Sequence, residues 1–247
     1  MKKFFLSVLF AFIVVPFNVC AEELEVIAKV EKYYKTTIVD SKISNYTFDN
    51  THYFTTTEEV TEEEYNSFNG NSITPLSLYG YVETNYKKLT IEILKDTSKF
   101  RYQVTLDWKT IPTVRSYDTI AIGHYASVKP SGTAFFKQRY CATNGVCKTS
   151  STYYPQTFVT GSSATFHLPT GDLTSLTQTF YFDIEKAVDE TIIRQVVTAD
   201  YAHEIKTVKI TDAVKLSVSN AGIKLDNSIQ DSYDEISPAE ATWTGSW

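Results

Sequence analysis

Histidine is the residue type best suited to metal binding and acid–base chemistry, and this chain of 247 residues contains only four. His203 is followed by Glu204 but lacks the second histidine four residues away that a helical zinc site requires. His124 shares an alternating phase with Ile120 and Ile122, which predicts an interior imidazole rather than a metal ligand. We therefore expect no bound metal and no cofactor. The histidines are His52, His124, His167 and His203.

Motifs for other reactions are missing from the sequence. There is no Gly-x-Ser-x-Gly nucleophile motif, no phosphate-binding loop and no dinucleotide glycine pattern. A pair of carboxylates for glycoside hydrolysis stays open, because the fold decides which carboxylates meet. The sequence favours a non-catalytic protein, with a secreted glycan-directed hydrolase as the alternative.

Two cysteines flank a turn signal. In the segment from Cys141 to Cys147, a three-residue loop over Thr143, Asn144 and Gly145 places the two cysteines directly opposite each other. Gly145 then takes the left-handed position of a type I turn followed by a bulge. Cross-strand cysteines at a non-hydrogen-bonded position are close enough to bridge, so we predict a disulfide that closes a β-hairpin. A metal-binding or redox pair is the alternative.

The same part of the chain has an unusual charge distribution. No Asp or Glu occurs between Asp118 and Asp172, although the whole chain has a net charge of −6. Cations and aromatic rings on a rigid hairpin suit contact with an anionic polymer or stacking on sugar rings. The alternative is a solvated charged face over core aromatics. The predicted ligand-binding residues are Lys137, Arg139, Tyr140, Lys148, Tyr153 and Tyr154.

A third function class rests on residues 149–182, which carry a single charge, Asp172. Two arms around the turn at Pro169 have the length of membrane-crossing strands, so an inserting hairpin of a pore-forming protein stays open. Ser162 and Ser163 interrupt the apolar stripe that lipid-facing strands need.

The N-terminus predicts export. A short basic start precedes an apolar run over residues 4–15, and Val19-Cys20-Ala21 supplies a cleavage site. We predict that residues 1–21 are a signal peptide, that the mature chain begins at Glu22, and that the protein is secreted. A lipid-anchored Cys20 is the alternative. No later apolar run approaches the ~20 residues of a membrane-spanning helix.

Alternation of polar and apolar residues dominates the rest of the sequence. Residues 99–108 alternate without a fault, which predicts a strand with Phe100, Tyr102, Val104, Leu106 and Trp108 on one face. Less regular runs predict further strands at 76–84, 87–95, 117–128, 133–141, 146–154, 157–168, 173–185, 191–201, 204–210 and 213–219. Many short strands separated by turns predict an all-β fold, an antiparallel β-sandwich of the jelly-roll-like kind. We expect one domain over residues 22–247, with residues 22–75 as a candidate sub-layer.

One short helix is predicted near 62–69. Thr61 has the position of an N-cap, Glu64 that of its reciprocal partner, and Asn69-Gly70-Asn71 ends the helix. Residues 22–34 fit either a helix or a strand, and the sequence does not decide between them.

Several short phrases resemble a set of exported proteins of Gram-positive bacteria. The resemblance spans roughly residues 81–236 and implies export and a β-rich fold. The set has no assigned activity, so no catalytic residues are implied. The phrases are Trp108-Lys109, Pro112, Arg115-Ser116-Tyr117-Asp118, Tyr201-Ala202-His203, Ala221-Gly222 and Tyr233-Asp234.

Together these observations predict a secreted, non-catalytic binding protein that acts at or near the cell surface. Its expected ligand is an anionic envelope polymer or a glycan. The acidic net charge argues against nucleic-acid binding.

Overall fold

Antiparallel strands account for most of the chain that the structure describes. This computed structural model describes residues 24–42, 51–68, 72–76, 80–97 and 99–247. The predicted signal peptide and Glu22 lie outside the described residues, as does the segment Asn69-Gly70-Asn71.

Sixteen strands, two α-helices and a short 3-10 helix occur in these residues. The 3-10 helix is Gln230–Ser232. The α-helices are α1 (Glu62–Ser67) and α2 (Ile210–Ala213). The strands are β1 (Glu25–Lys42), β2 (Thr51–Val60), β3 (Ser72–Leu76), β4 (Gly80–Lys95), β5 (Phe100–Trp108), β6 (Tyr117–His124), β7 (Val128–Ala142), β8 (Cys147–Ser150), β9 (Tyr154–Phe158), β10 (Gly161–His167), β11 (Leu173–Lys186), β12 (Arg194–Glu204), β13 (Leu216–Ser219), β14 (Gly222–Leu225), β15 (Tyr233–Glu235) and β16 (Ala239–Thr244).

The strands of the described chain form two large sheets and one separate hairpin. Sheet A has the order β2-β1-β4-β5-β11-β7-β8, with β3 also paired to β4. Sheet B has the order β15-β12-β6-β10-β9, with β16 also paired to β12. Strands β13 and β14 pair only with each other. The all-β antiparallel fold predicted from the sequence is confirmed.

The core lies between sheets A and B. On β5 the predicted alternation is confirmed, because Phe100, Tyr102, Val104, Leu106 and Trp108 are all buried and the intervening residues are partly exposed. These side chains belong to one apolar cluster with residues of β6, β10 and β12 in sheet B. Rings also meet across the sheets: the centroids of Phe136 on β7 and Phe166 on β10 are 4.3 Å apart. Two facing apolar layers of this kind form a β-sandwich.

Some predicted strands differ from the observed ones. The run 157–168 is interrupted by a turn between β9 and β10. Residues 205–209 leave the sheet and lead into α2, so the strand predicted at 204–210 was wrong. Residues 25–34, which the sequence left open, belong to β1, where a bulge between Val26 and Ala28 shifts the alternation.

Helix α1 begins as predicted. The backbone N–H of Glu64 donates to the Thr61 hydroxyl at 3.1 Å, which is the expected N-cap bond. The Glu64 carboxylate lies 3.6 Å from the Lys35 ammonium, so it pairs with strand β1.

The hairpin between β7 and β8 closes as the cysteine spacing predicted. Cys141 lies opposite Cys147, and their Cα atoms are 4.0 Å apart across a disulfide bond. The Ala142 N–H donates to the Val146 carbonyl at 2.9 Å, and Gly145 has a φ of 81°. The three-residue loop is therefore confirmed, with Gly145 in the left-handed region.

We expect this disulfide to stiffen the hairpin without holding the sandwich together. It joins residues only six apart, so it should contribute less than the ~3 kcal/mol of a 15-residue loop. Reducing it should increase hydrogen exchange at β8 and leave exchange in β5 unchanged. Thiol counting on unfolded, unreduced mature protein should find no reactive thiol, and two thiols would disprove the bond in solution.

The segment considered as an inserting hairpin has a different arrangement. Strand β10 pairs with β6 and β9 in sheet B, whereas β11 pairs with β5 and β7 in sheet A. The two arms on either side of Pro169 therefore lie in opposite layers of the sandwich and do not pair with each other as a hairpin in this fold.

Candidate functional site

Strand β7 divides the predicted ligand-binding residues between two faces. Successive side chains of a strand point to opposite sides of the sheet. Lys137 and Arg139 lie on the outer face of sheet A and are exposed. Tyr140 lies on the other face and is opposite Lys148 of β8. The four residues therefore form two separate pairs.

The first pair belongs to the β7 outer face, which consists of Phe135, Lys137 and Arg139. The Phe135 ring is 55% exposed and stacks on Tyr181, with ring centroids 5.2 Å apart. Lys137 and Arg139 lie opposite uncharged threonines of β11. Within the described residues neither cation forms an ion pair. The face therefore presents uncompensated positive charge beside an aromatic stack.

Lys129, at the other end of the same strand, is compensated. Its ammonium lies 3.1 Å from the Glu185 carboxylate. The uncompensated charge on β7 is thus confined to the half of the strand nearer the disulfide.

The second pair lines a shallow groove beside the hairpin. The groove has a volume of about 200 Å³, and Tyr140, Val146, Lys148 and Asp172 contribute to its walls. This volume is below the range of about 300–1,000 Å³ that is usual for small-molecule pockets. It therefore suits a surface contact with one ring or side chain.

The two remaining predicted residues lie apart. Tyr153 is half-buried, its hydroxyl donates to the Ala134 carbonyl, and its ring lies 5.5 Å from Phe136. Tyr154 is 44% exposed on β9 in sheet B and meets Tyr117 edge to face. Tyr153 therefore supports the β7 strand from inside, and Tyr154 is separate from the β7 outer face.

A cluster of charged side chains that the sequence analysis missed lies between the two sheets. Lys87 on β4 is completely buried, and its ammonium is 2.9 Å from Oδ2 of Asp234 on β15, whose side chain is 3% exposed. Lys87 points inward because it continues the phase of Leu89 and Ile91, which are fully buried on the same strand. The pair thus connects sheet A to sheet B.

Asp234 accepts hydrogen bonds on both oxygens. The Thr36 hydroxyl donates to Oδ2 at 2.9 Å, and the Thr57 hydroxyl donates to Oδ1. Burial acts to raise the pKa of Asp234, but the Lys87 ammonium and the Thr57 hydroxyl hold this pKa below its ordinary value. The Lys87 ammonium also lies 5.1 Å from the Trp108 ring centroid, so an aromatic ring packs beside the ion pair.

Asp118 and His203 form a second buried pair beside the first. Nδ1 of His203 lies 3.0 Å from Oδ1 of Asp118, and the Tyr201 hydroxyl donates to Oδ2 of Asp118. Nε2 of His203 is buried and has no hydrogen-bond partner in the described structure. His203 lies directly opposite Asp234 in the pairing of β12 with β15. Opposite residues of an antiparallel pair point to the same side, so the imidazole adjoins the Lys87–Asp234 pair.

An aspartate that holds an imidazole through Nδ1 is an arrangement suited to proton transfer. Here the side chains of Asp118 and His203 are both 0% exposed. An external substrate cannot reach them, so any chemistry of this cluster is confined to groups of the protein itself.

Two further carboxylates are buried on the other side of β12. Glu204 accepts from the Tyr117 N–H at 2.6 Å and from the Tyr233 hydroxyl at 2.7 Å. Burial raises the pKa of Glu204 to about 7, and burial likewise raises the pKa of Asp200 to about 7. Both groups therefore change charge near neutral pH.

The other histidines have structural partners or lie outside the described side chains. His124 is completely buried, as predicted, its Nδ1 lies 3.0 Å from the Tyr125 carbonyl, and burial lowers its pKa. Nδ1 of His167 lies 2.6 Å from the Leu168 carbonyl. The His52 side chain is outside the described part. In the described ranges, no three metal-ligating side chains converge on one point.

The fold and the cluster define an antiparallel β-sandwich with an exposed cationic strand face and a buried charged cluster between its sheets. No family model matches the chain, and no curated protein matches it significantly. Among solved structures the chain is similar to the full-length major pilin SpaD from Corynebacterium diphtheriae, with 11% identity and a TM-score of 0.36. The match covers 98% of this chain and 65% of the pilin, so the chain spans less than two thirds of that pilin's length.

No helix in the described ranges combines the length and the apolar character needed to cross a bilayer.

Proposed function

We propose that the protein is an exported, non-catalytic binding protein that acts at or near the cell surface by attaching to an anionic polymer of the cell envelope. The predicted signal peptide supports export, and the disulfide between Cys141 and Cys147 suits an oxidising exterior.

The uncompensated β7 outer face is the observation that carries this proposal. Lys137 and Arg139 are two residues apart on one strand, so their side chains emerge about 7 Å from each other on the same side. A polymer with repeated phosphate or carboxylate groups can contact both cations at once, and Arg139 can bind such a group through two N–H donors. The adjacent ring of Phe135 offers an apolar contact for the polymer backbone.

The buried position of the acid–base groups supports a non-catalytic role toward external molecules. Asp118 and His203 are completely buried, and the groove at Tyr140 contains neither of them. We therefore place the contact with the envelope on the exposed strand face rather than in a catalytic pocket.

Retention of the purified protein on isolated cell walls tests the proposal. The double variant Lys137→Ala, Arg139→Ala should bind about 2- to 30-fold more weakly at low salt, since each of the two exposed charge pairs contributes about 0.2–1 kcal/mol. Binding of the wild-type protein should weaken as salt rises, because exposed charges are screened beyond about 8 Å at physiological ionic strength. Walls from which the anionic polymers have been extracted should retain little protein.

Lys129→Ala is the matched control, because it removes a cation of the same strand that Glu185 already compensates. It should bind like the wild type. Equal retention of the double variant and the wild type at low salt would disprove the proposal. If retention instead falls for Tyr140→Ala with Lys148→Ala, or for Tyr154→Ala, and does not respond to salt, the ligand is a neutral glycan.

A further inference from the structure

The buried pair of Lys87 and Asp234 contains the two functional groups of an amide. The Lys87 Nζ lies 2.9 Å from an oxygen bonded to the Asp234 carboxyl carbon, and the two groups come from opposite sheets. We propose that they react to form an intramolecular amide between Nζ of Lys87 and Cγ of Asp234, which covalently joins β4 to β15. This modification is independent of the proposed envelope binding.

The reactive, neutral form of the pair is a minor state that burial makes more accessible than it would be in water. An ammonium and a carboxylate do not react in water, where both stay charged. Removing two charges from water is energetically costly. A proton transfer from Nζ to Oδ2 across the 2.9 Å contact converts the charged groups into a neutral amine and a carboxylic acid. The fold holds the amine and the carboxyl group next to each other, so they need not meet by diffusion. Well-oriented groups of this kind react as if each were present at an effective concentration of about 10⁵–10⁸ M.

The hydroxyl groups around Asp234 suit the charge that develops during the attack. When the amine lone pair adds to Cγ, the electrons of the C=O bond move onto Oδ1. The Thr57 hydroxyl donates to Oδ1 and stabilises that negative charge. Oδ2 has received the proton and becomes the leaving hydroxyl, and Thr36 contacts this oxygen.

The overall reaction is a condensation. One C–N bond forms and the bond between Cγ and Oδ2 breaks. The nitrogen loses a proton, the leaving hydroxyl gains one, and one water is released. The reaction needs no oxidant, reductant or external reactant.

His203 is placed to carry the proton from nitrogen to oxygen. It lies opposite Asp234, and its unpartnered Nε2 is available for the transfer. Asp118 holds Nδ1 and fixes the orientation of the ring, so Asp118 acts as a positioning residue. A buried nitrogen without a hydrogen-bond partner destabilises a folded protein, and the proton transfer would explain why Nε2 of His203 has none.

Intact mass measurement on the folded, exported protein tests the proposal. After reduction and denaturation, the wild-type protein should be lighter than its sequence by the mass of one water. A protease digest should contain a branched peptide that joins the segment around Lys87 to the segment around Asp234. Lys87→Met and Asp234→Ala should restore the full mass, and Lys88→Met, on the outer face of the same strand, should keep the water loss.

The branched peptide separates the amide from cyclisation of an N-terminal glutamate, which also loses water. A wild-type protein that is folded but has the full sequence mass disproves the amide. The role of His203 is tested by cell-free translation quenched at intervals. His203→Gln should form the branched peptide about 100-fold more slowly, as expected for loss of acid–base assistance. An unchanged rate would disprove that role while leaving the amide itself established.

Discussion

Replacing Asp234 by alanine is expected to lower the free energy of unfolding by about 3–5 kcal/mol, the cost of leaving one partner of a buried ion pair uncompensated. Lys87 has no exposed surface through which its ammonium could regain water. The Thr36 and Thr57 hydroxyls lose their acceptor at the same time. Urea denaturation should show this as a lower midpoint.

Lys88→Met is the control for this variant. Lys88 lies next to Lys87 but on the outer face, where it pairs with Glu31 at 3.5 Å and is partly exposed. Exposed pairs contribute about 0–1 kcal/mol, so Lys88→Met should change stability little. A loss for Asp234→Ala no larger than that for Lys88→Met would show that the buried pair does not stabilise the sandwich.

The double variant Lys87→Met, Asp234→Leu distinguishes an ion pair from an amide. If the pair is only ionic, two apolar residues of similar size should restore stability to the wild-type level or above it. If the amide forms, the double variant also loses a cross-link between residues 147 positions apart. By analogy with disulfides, closing so long a loop is worth about 5 kcal/mol, and this deficit should remain.

The second large effect concerns pH. Glu204 is completely buried, and its pKa of about 7 in the folded protein is above the ordinary value of 4.5. Between these two values the folded chain binds more protons than the unfolded chain, so stability must fall as pH rises. The expected loss is on the order of 3 kcal/mol, or roughly 6–12 °C in Tm. Asp200 acts in the same direction, because burial raises its pKa to about 7 as well.

Thermal melts between pH 4.5 and 8 check this expectation. Glu204→Gln keeps the shape of the side chain and cannot ionise, so its Tm should depend less on pH than that of the wild type. Glu240→Gln, at an exposed position on β16, should keep the wild-type slope. A Tm that rises from pH 5 to pH 7 in the wild-type protein would contradict the assignment.

The sequence was sufficient to predict the parts of the fold that depend on local patterns. Alternation identified the buried face of β5, and the spacing of Cys141 and Cys147 identified the hairpin register, because both are set by the two-residue period of a strand. The start of β1 was left open because the bulge between Val26 and Ala28 interrupts that period. The strand predicted at 204–210 failed because apolar residues of a loop can be buried outside a sheet, as Ile205 is.

The buried cluster depends on contacts that no local pattern contains. Lys87 and Asp234 are 147 positions apart, and only the order of strands in the two sheets brings them together. One local signal was present, since Lys87 stands in the apolar phase of Leu89 and Ile91. A lysine in such a phase predicts a buried ammonium that needs a partner, although it does not identify which carboxylate.

The position of the Lys87–Asp234 pair also determines how the protein would respond to being pulled by its ends. An amide at this place would carry tension from β4 directly to β15. The chain between the two residues, which are 147 positions apart, would bear no load, and roughly 500 Å of extended chain would be withheld from stretching. The part of the sandwich between β4 and β15 would then resist extension. Under tension, the strands before β4 and the strand β16 would detach first.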